Sequence, residues 1–369
     1  MCNNKLIGAR YYVTGFNAAG SVLSDFEYVS PRDGDGQGSH TASTSGGNSG
    51  ADGVIGGAPL TISGIAPRAR LAAYKVCWTA TVAARTGCYT SDSIAAIDDA
   101  VADGVDVINL SVSGTQTNYL DPVEVAFFNA SAAGVFVAVS AGNAGPANTV
   151  AHPSPWLMTV AASTDYKVQA ATAALGNGAN YGGYASSPYT PVSSSPLIDS
   201  QIAGLAGKDP VLVKQCWLGT LDTAMVGAPD PERFAYGAGH LNPNGAAVQG
   251  LVYDTSPADY LRFLCGIGSL SPASSHCTTF CSIPPWDLNL ASLTASSVVG
   301  AISLNRTVKN VTTASQPYNA SASLPGFNVG VVPSSLTLAP GASDSFKVNL
   351  TRTTAPIGFY SFGNAASRP

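Results

Sequence analysis

The sequence has little charge and few histidines. Only 11% of its 369 residues are charged, the formal net charge is −5, and there are four histidines. The acidic balance argues against a nucleic-acid-binding protein, which needs a basic face. An apolar content of 45% argues against intrinsic disorder. Any chemistry that depends on histidine therefore has few candidate residues.

No hydrophobic run is long enough for a transmembrane helix. The most apolar stretch, residues 125–141, falls short of the roughly 20 residues that a span requires, and Asn129, Ser131 and Gly134 interrupt it. We predict instead a buried helix that turns at Gly134 into a buried strand at residues 135–139, typical of a parallel sheet. The N-terminus has no apolar segment of the kind found in signal peptides.

Seven cysteines are too few for a dense disulfide scaffold. Cys77 with Cys88, and Cys277 with Cys281, enclose short loops, so both pairs are candidate local disulfides. His276 and Cys277 lie together, but no second Cys or His pair has zinc-site spacing. We therefore expect neither a metal nor a cofactor.

Five Asn-x-Ser/Thr triplets are candidate N-glycosylation sites. In a chain rich in Ser and Thr such triplets also arise by chance, so they support secretion only weakly. Their asparagines are Asn129, Asn305, Asn310, Asn319 and Asn349.

Residues 65–160 alternate between strand-like and helix-like runs. We predict strands at 70–76 and 105–110, with a helix between them that is capped by Ser91 and ends at Asp103. A second helix is predicted near residues 121–133. Strand–helix–strand repetition with short loops indicates a parallel α/β sheet with right-handed crossovers.

The C-terminal region has a different pattern. Residues 303–308, 336–338 and 345–350 alternate in polarity or are β-branched, and Pro and Gly turns separate them. This pattern is typical of a small antiparallel sandwich over residues 291–369. Between residues 171 and 226, short β-like pieces with Gly and Ser predominate.

Three segments carry specific motifs. They are SPRDGDGQGSHTAST at residues 30–44, SAGNAGP at residues 140–146, and FAYGAGHLNP at residues 234–243, which is followed by GLVYD at residues 250–254. Together they resemble the subtilisin-like serine proteases, most closely the plant-type, cucumisin-like branch. Residues 2–10 and 66–78 match that branch as well, and the resemblance covers most of the chain in family order.

The resemblance implies a parallel α/β catalytic domain, a protease-associated insertion and a C-terminal fibronectin-III-like β-sandwich. The predicted domains are the N-terminal part of the catalytic domain at 1–170, a remnant of the protease-associated domain at 171–226, the C-terminal part of the catalytic domain at 227–290, and the sandwich at 291–369. The rest of the family's insertion and its nucleophile helix belong between Val226 and Phe234, where they are missing. Loss of that helix predicts an exposed apolar sheet face.

The family's Ser-His-Asp chemistry is not recognisable in this chain. Its nucleophile motif, Gly-Thr-Ser-Met-x-x-Pro-His, does not occur in the sequence, and its orienting Asp is expected upstream of Cys2. Aligned on the flanking glycines, the position of the catalytic His holds Gln37, which cannot act as a general base. His40 matches the second, structural His, and its offset is expected to turn its side chain away from the catalytic direction.

Two binding features of the family are retained. Asn143 matches the oxyanion-hole Asn, whose amide donates to a developing oxyanion; the alternative is a loop residue that stabilises a glycine-flanked turn. Ser111, Val112 and Ser113 match the edge that holds the substrate backbone, although Ser113 stands where Gly is usual; the alternative is an ordinary strand end. The three remaining histidines are interpreted as loop or core residues: His152, His240 and His276.

The sequence therefore predicts a secreted-type protein that descends from serine endopeptidases, with a peptide or protein as its partner class. Without recognisable triad residues we expect it to be inactive. Two alternatives remain open: a non-catalytic peptide-binding pseudoprotease, and a truncated or mis-spliced gene product. Resequencing the transcript across Val226–Phe234 would separate the last alternative from the others.

Overall fold

The computed structural model describes residues 2–55, 58–145, 149–162, 170–184, 237, 241 and 243–368. The chain divides into two compact units, Met1–Tyr89 with Ala162–Glu232 and Thr90–Ala161 with Arg233–Pro369. The α-helices in the described ranges are α1 (Thr14–Ala18), α2 (Gln37–Gly46), α3 (Thr90–Ala102), α4 (Pro122–Ala132), α5 (Pro243–Ala247), α6 (Pro257–Gly266) and α7 (Ser275–Phe280).

The strands of the same ranges are mostly short before residue 300 and longer after it. They are β1 (Leu6–Tyr11), β2 (Ala51–Ile55), β3 (Ala58–Ile62), β4 (Leu71–Lys75), β5 (Cys77–Trp78), β6 (Gly87–Cys88), β7 (Val107–Leu110), β8 (Phe136–Ser140), β9 (Met158–Val160), β10 (Ala170–Ala174), β11 (Asn180–Tyr184), β12 (Leu251–Val252), β13 (Ala301–Asn310), β14 (Gln316–Ser323), β15 (Phe327–Val332), β16 (Ser335–Leu338), β17 (Ser343–Arg352) and β18 (Asn364–Arg368).

In the first unit, β1 and β4 form a parallel pair. The predicted disulfide between Cys77 and Cys88 is confirmed and joins β5 to β6. Trp78 and Phe16 are fully buried beside it, and the Trp78 indole N–H donates to the carbonyl of Tyr12 at 2.8 Å. A small aromatic core and one cross-link thus fix the end of β4.

The second unit contains a parallel sheet in the order β7-β8-β9, as predicted for residues 105–110 and 135–139. The strand predicted at 70–76 is β4, which pairs with β1 in the first unit and is not part of this sheet. Helix α3 starts at Thr90, one residue before the predicted cap Ser91. Helix α4 starts after Asp121, whose side chain accepts from the amide of Val123 at 2.9 Å, as a good N-cap does. The core between helices and sheet includes Ile97, Phe127, Val137, Val139 and Trp156.

The prediction that the strand at residues 135–139 is buried on both faces was wrong. Val137 and Val139 are buried, but Phe136, the first residue of β8, is 51% exposed. Its neighbour in the register, Val107, is 57% exposed, and Met158 on β9 is 51% exposed. One face of the sheet packs on the helices, while the other presents exposed apolar side chains.

The C-terminal antiparallel sandwich is confirmed. One sheet has the order β12-β13-β17-β15 and the other β16-β14-β18. Alternation along β13 buries Leu304, Arg306 and Val308 and exposes the residues between them, as expected for a half-buried strand. The fold class is therefore α/β with parallel sheets, followed by an antiparallel β-sandwich.

Arg306 on β13 hydrogen-bonds to the segment at residues 286–292, which precedes that strand. It is buried, and its guanidinium donates to the carbonyls of Trp286, Leu290 and Ser292 at 2.8–2.9 Å. Each of these carbonyls lies in a stretch without a β-ladder, so the arginine supplies the hydrogen bonds that a ladder would supply elsewhere.

A second disulfide links Cys265 on α6 to Cys277 on α7, with the Cα atoms 5.6 Å apart. The candidate pairing of Cys277 with Cys281 was therefore wrong. Helix α7 packs against α6 and brings Cys277 to Cys265, whereas Cys281 lies beyond the end of α7 and is exposed with a free thiol. Cys216 lies outside the described residues.

The side chain of Asn310, a candidate glycosylation site, is fully buried and has a structural role instead. Its side-chain amide donates to the carbonyls of Ala314 and Leu338 at 2.9 Å, and its side-chain oxygen accepts from the amide of Thr312.

We expect Asn310→Ala to lower the free energy of unfolding by about 2–3 kcal/mol, because buried polar partners are left unsatisfied. The matched control is Asn319→Ala, at an exposed sequon on β14. Urea denaturation of both variants measures this, and equal losses would contradict it.

Candidate functional site

Gln37 is the first residue of α2, and a carboxylate organises the loop before it. Asp33 accepts hydrogen bonds from the amides of Asp35, Gly36 and Ser39 at 2.7–3.1 Å. Burial acts to raise the pKa of Asp33, but the hydrogen bonds from Gly36 and Ser39 outweigh it and lower that pKa. Gly36 has φ of 97°, a conformation that favours glycine. The loop thus presents Gln37 as an exposed side chain at the start of a helix.

His40 follows Gln37 by three residues on α2. Because residues three apart are neighbours on one helix surface, the expectation that its side chain turns far away was wrong. Its carbonyl accepts from the hydroxyls of Ser43 and Thr44. Within the described residues no carboxylate hydrogen-bonds to the His40 ring, so an orienting partner for a replacement base is lacking there.

Asn143 and residues 111–113 meet at one edge of the sheet in the second unit. Strands β7 and β8 are parallel, with Leu110 opposite Val139, so the segments that follow them emerge at the same carboxyl edge. Gly142 has φ of 81°, and a Cβ added to it would lie 3.2 Å from the Ser113 hydroxyl. Asn143 and Ser113 are both exposed. The exposed Asn143 thus directly follows the residue that packs against Ser113.

Behind this edge lies a buried pair that the sequence did not reveal. Glu124 is 0% exposed and His152 is 2% exposed. The Nδ1 atom of His152 is 2.5 Å from Glu124 Oε1, and its Nε2 is 3.0 Å from the carbonyl oxygen of Val112. The interpretation of His152 as a satisfied core histidine is confirmed. The signal that could have found its partner was Glu124, an acidic residue directly before the apolar run at residues 125–141.

The environment of His152 favours its protonated form. Burial acts to lower the pKa of His152, but the hydrogen bonds to Glu124 and Val112 and the carboxylates of Glu124 and Asp121 outweigh it. The pKa therefore lies above its ordinary value of 6.5. The ring of His152 lies directly behind the segment that matches the substrate edge and hydrogen-bonds to its Val112 carbonyl.

Other expected features are only partly in view. His276 is exposed on α7, whereas His240, most of the motif at residues 234–243 and the region around Cys216 lie outside the described residues. In the described ranges no cluster of three or more His, Cys, Asp or Glu side chains could hold a metal ion. The same ranges contain no helix that is long and apolar enough to cross a membrane.

Comparison with known families gives two matches. The model of the Subtilase family matches residues 17–322, and that of a fibronectin type-III domain matches residues 287–366. The two matches overlap at residues 287–322, a region that contains Arg306 and the carbonyls of Leu290 and Ser292, to which it donates.

Comparison with individual proteins gives plant relatives. The chain is 43% identical over 232 residues to "Subtilisin-like protease SBT1.5" of Arabidopsis thaliana, covering 61% of this chain and 29% of the relative. It is 45% identical over 185 residues to "Subtilisin-like protease SBT1.6" of the same plant, covering 48% and 24%. The chain thus spans less than a third of the length of these relatives.

Among solved structures, Sphericase is 28% identical with a TM-score of 0.23, covering 33% of this chain and 37% of that one. MycP1 without its N-terminal propeptide is 22% identical with a TM-score of 0.26, covering 35% and 46%.

Proposed function

Because the chain belongs to the subtilase family, we propose that it is a subtilisin-like protein that binds an extended peptide at residues 111–113 without hydrolysing it. The observation that carries the proposal is Gln37, which stands where the family motif has its catalytic His. An uncharged amide cannot take the proton of a nucleophile, so the covalent route lacks its base. The absence of a Gly-Thr-Ser-Met motif removes the recognisable nucleophile as well.

Peptide binding is supported by the retained edge. Ser111 and Ser113 follow a strand end, and Val112 between them directs its carbonyl inward to His152 and to the hydroxyl of Ser140. We propose that the backbone groups of Ser111 and Ser113, on either side of Val112, are the ones that pair with a ligand. A peptide that pairs with them adds a strand to the edge. Asn143 lies beside this path and offers an amide donor.

Secretion is a second part of the proposal. Two disulfides, Cys77–Cys88 and Cys265–Cys277, lie within the described residues. Such cross-links persist in oxidising compartments and are rare in the cytosol. Expression into an oxidising secretory pathway is therefore the suitable source of protein for the experiments that follow.

The test combines a fluorophosphonate probe with peptide binding. We expect no serine to be labelled and no peptide to be cleaved, while fluorescent peptides of eight to ten residues bind saturably. Ser113→Gly restores the residue usual in the family and should tighten binding about fivefold, because removing a Cβ relieves crowding worth about 1 kcal/mol. Ser113→Ala keeps the Cβ and is the matched control.

Each alternative predicts a different outcome. Stoichiometric labelling of a serine together with cleavage would establish an active endopeptidase and refute the proposal. Absence of peptide binding by a folded chain would refute the binding function and favour a non-functional, mis-spliced product. An in-frame Gly-Thr-Ser-Met segment in the resequenced transcript would restore the enzyme interpretation and leave only Gln37 to explain.

A further inference from the structure

We propose that the buried His152–Glu124 pair is the positioning element of the peptide-binding edge, holding residues 111–115 in the shape that a bound peptide requires. The inference rests on the proposed function only for the identity of the ligand. The pair itself is defined by contacts within the second unit, and those contacts can be tested without any peptide.

His152 hydrogen-bonds to the backbone of the peptide-binding edge on both sides of Gly114. Its ring Nε2 donates to the carbonyl of Val112 at 3.0 Å, and its main-chain amide donates to the carbonyl of Thr115 at 2.8 Å. The ring lies so close to Gly114 that a Cβ there would be 2.1 Å from its Cε1 atom. One residue therefore holds the backbone of the edge through two hydrogen bonds and a direct contact.

The backbone of His152 is itself in an uncommon conformation. Its φ is 55°, in the left-handed region that only a few per cent of residues other than glycine adopt, histidine more often than most. Such a conformation persists only where surrounding contacts determine it. Phe127 packs edge-on against the ring, and the His152 carbonyl accepts from the Thr159 hydroxyl at 2.6 Å. The ring is thus fixed from several sides.

The hydrogen-bond partners determine where the ring protons lie. A carbonyl can only accept, so Nε2 must carry a hydrogen toward Val112. The proton between Nδ1 and Glu124 Oε1 belongs either to an imidazolium facing a carboxylate or to a carboxylic acid facing a neutral ring. Either arrangement contains that one shared proton.

Loss of the shared proton should release the edge. A carboxylate would then face the Nδ1 lone pair in a buried site, where an unpaired charge is costly. The ring would move to separate the two atoms and give up its bond to Val112. The carboxylates that act on the ring are those of Glu124 and Asp121, both at the start of α4.

The experiment uses selective ¹⁵N-histidine labelling, since four histidines give at most four ring spin systems. Hydrogen exchange of the His152 ring Nε2–H, the His152 amide and the peptides spanning residues 111–118 is followed from pH 6 to 9 and corrected for intrinsic rates. Glu124→Gln removes the charge while preserving shape. Asp98→Asn removes an exposed carboxylate on α3 of the same unit and is the matched control.

In the wild type we expect protection of these hydrogens that weakens as the pH rises. Glu124→Gln should make the protection independent of pH, because its amide donates to Nδ1 and has no proton to lose in this range, and Asp98→Asn should match the wild type. Peptide affinity, measured in parallel, should weaken with the protection. A folded Glu124→Gln variant that keeps the wild-type pH dependence, or protection in the wild type that does not vary with pH, would overturn the inference.

The two proposals fail in different ways. A wild type with a protected edge that binds no peptide would refute the peptide-binding function and leave the edge-holding pair established. Protection of the edge that falls with rising pH while peptide affinity stays constant would refute the positioning role alone. The wild-type pH series needs no variant, so the inference is decided even if Glu124→Gln does not fold.

Discussion

Glu124→Ala is expected to lower the free energy of unfolding by about 3–5 kcal/mol, the loss typical of removing one partner of a buried ion pair. Glu124 is fully buried and its Oε1 atom faces the ring of His152 at 2.5 Å. Without the carboxylate, the imidazole either keeps a buried charge without its partner or becomes neutral against a cavity. Urea denaturation at pH 6 measures the loss. Val125→Ala, at a partly exposed position on the same helix, is the matched control.

A double-mutant cycle separates the pair from the cavity. In the Glu124→Ala background, His152→Ala should cost much less than it costs in the wild type, because the interaction it removes has already gone. The coupling energy measures what the two side chains contribute together. Losses that add independently would show that the pair contributes nothing beyond the packing of its two side chains.

The same pair gives stability a defined dependence on pH. The pKa of His152 is raised in the folded chain above its ordinary value of 6.5, so the folded state binds more protons than the unfolded state in this range. The resulting stabilisation is complete below the unfolded pKa and is lost as the pH rises through the folded pKa. We expect the free energy of unfolding to fall with rising pH above about 6.5, the ordinary His value, and Glu124→Ala to flatten this slope.

The secondary structure was largely predictable because it depends on local periodicity. Ile97 recurs with its neighbours at helical spacing on α3, and the alternation around Leu304 and Val308 marks a half-buried strand. The expected burial of Phe136 failed for a reason that periodicity does not contain. An apolar run indicates that a strand is suited to burial on both faces. Whether both faces are buried depends on which other segments of the chain pack against them.

The candidate site was predictable only where a motif carried it. Gln37, Asn143 and residues 111–113 were identified by resemblance, and the parallel register of β7 and β8 is what brings the last two together. The His152–Glu124 pair escaped detection because its members are 28 residues apart and neither belongs to a motif. The Cys265–Cys277 disulfide escaped detection because it depends on how α6 packs against α7.

Gln37→His is expected to raise kcat by at least about 10³-fold in a chain that also carries the family's nucleophile and orienting-Asp segments. In subtilisin, loss of the catalytic His alone lowers kcat by about 2 × 10⁶-fold, while binding and oxyanion stabilisation leave about 10³–10⁴-fold over water. The nucleophile segment would be spliced between Val226 and Phe234. Cleavage of a chromogenic peptide and labelling by a fluorophosphonate provide the two readouts.

Matched variants assign this gain to position 37. Gln37→His in the chain as it stands should give no activity, because a general base without a nucleophile has no proton to remove. In the restored chain, His40→Gln introduced without Gln37→His tests whether the neighbouring histidine serves as the base, and it should change nothing. Equal turnover with and without Gln37→His would mean that the catalytic position lies elsewhere in the loop before α2. A gain confined to Gln37→His would show that the loop before α2 still presents position 37 as the family's general base, so that the substitution by Gln is sufficient to abolish activity even when the nucleophile and the orienting Asp are present.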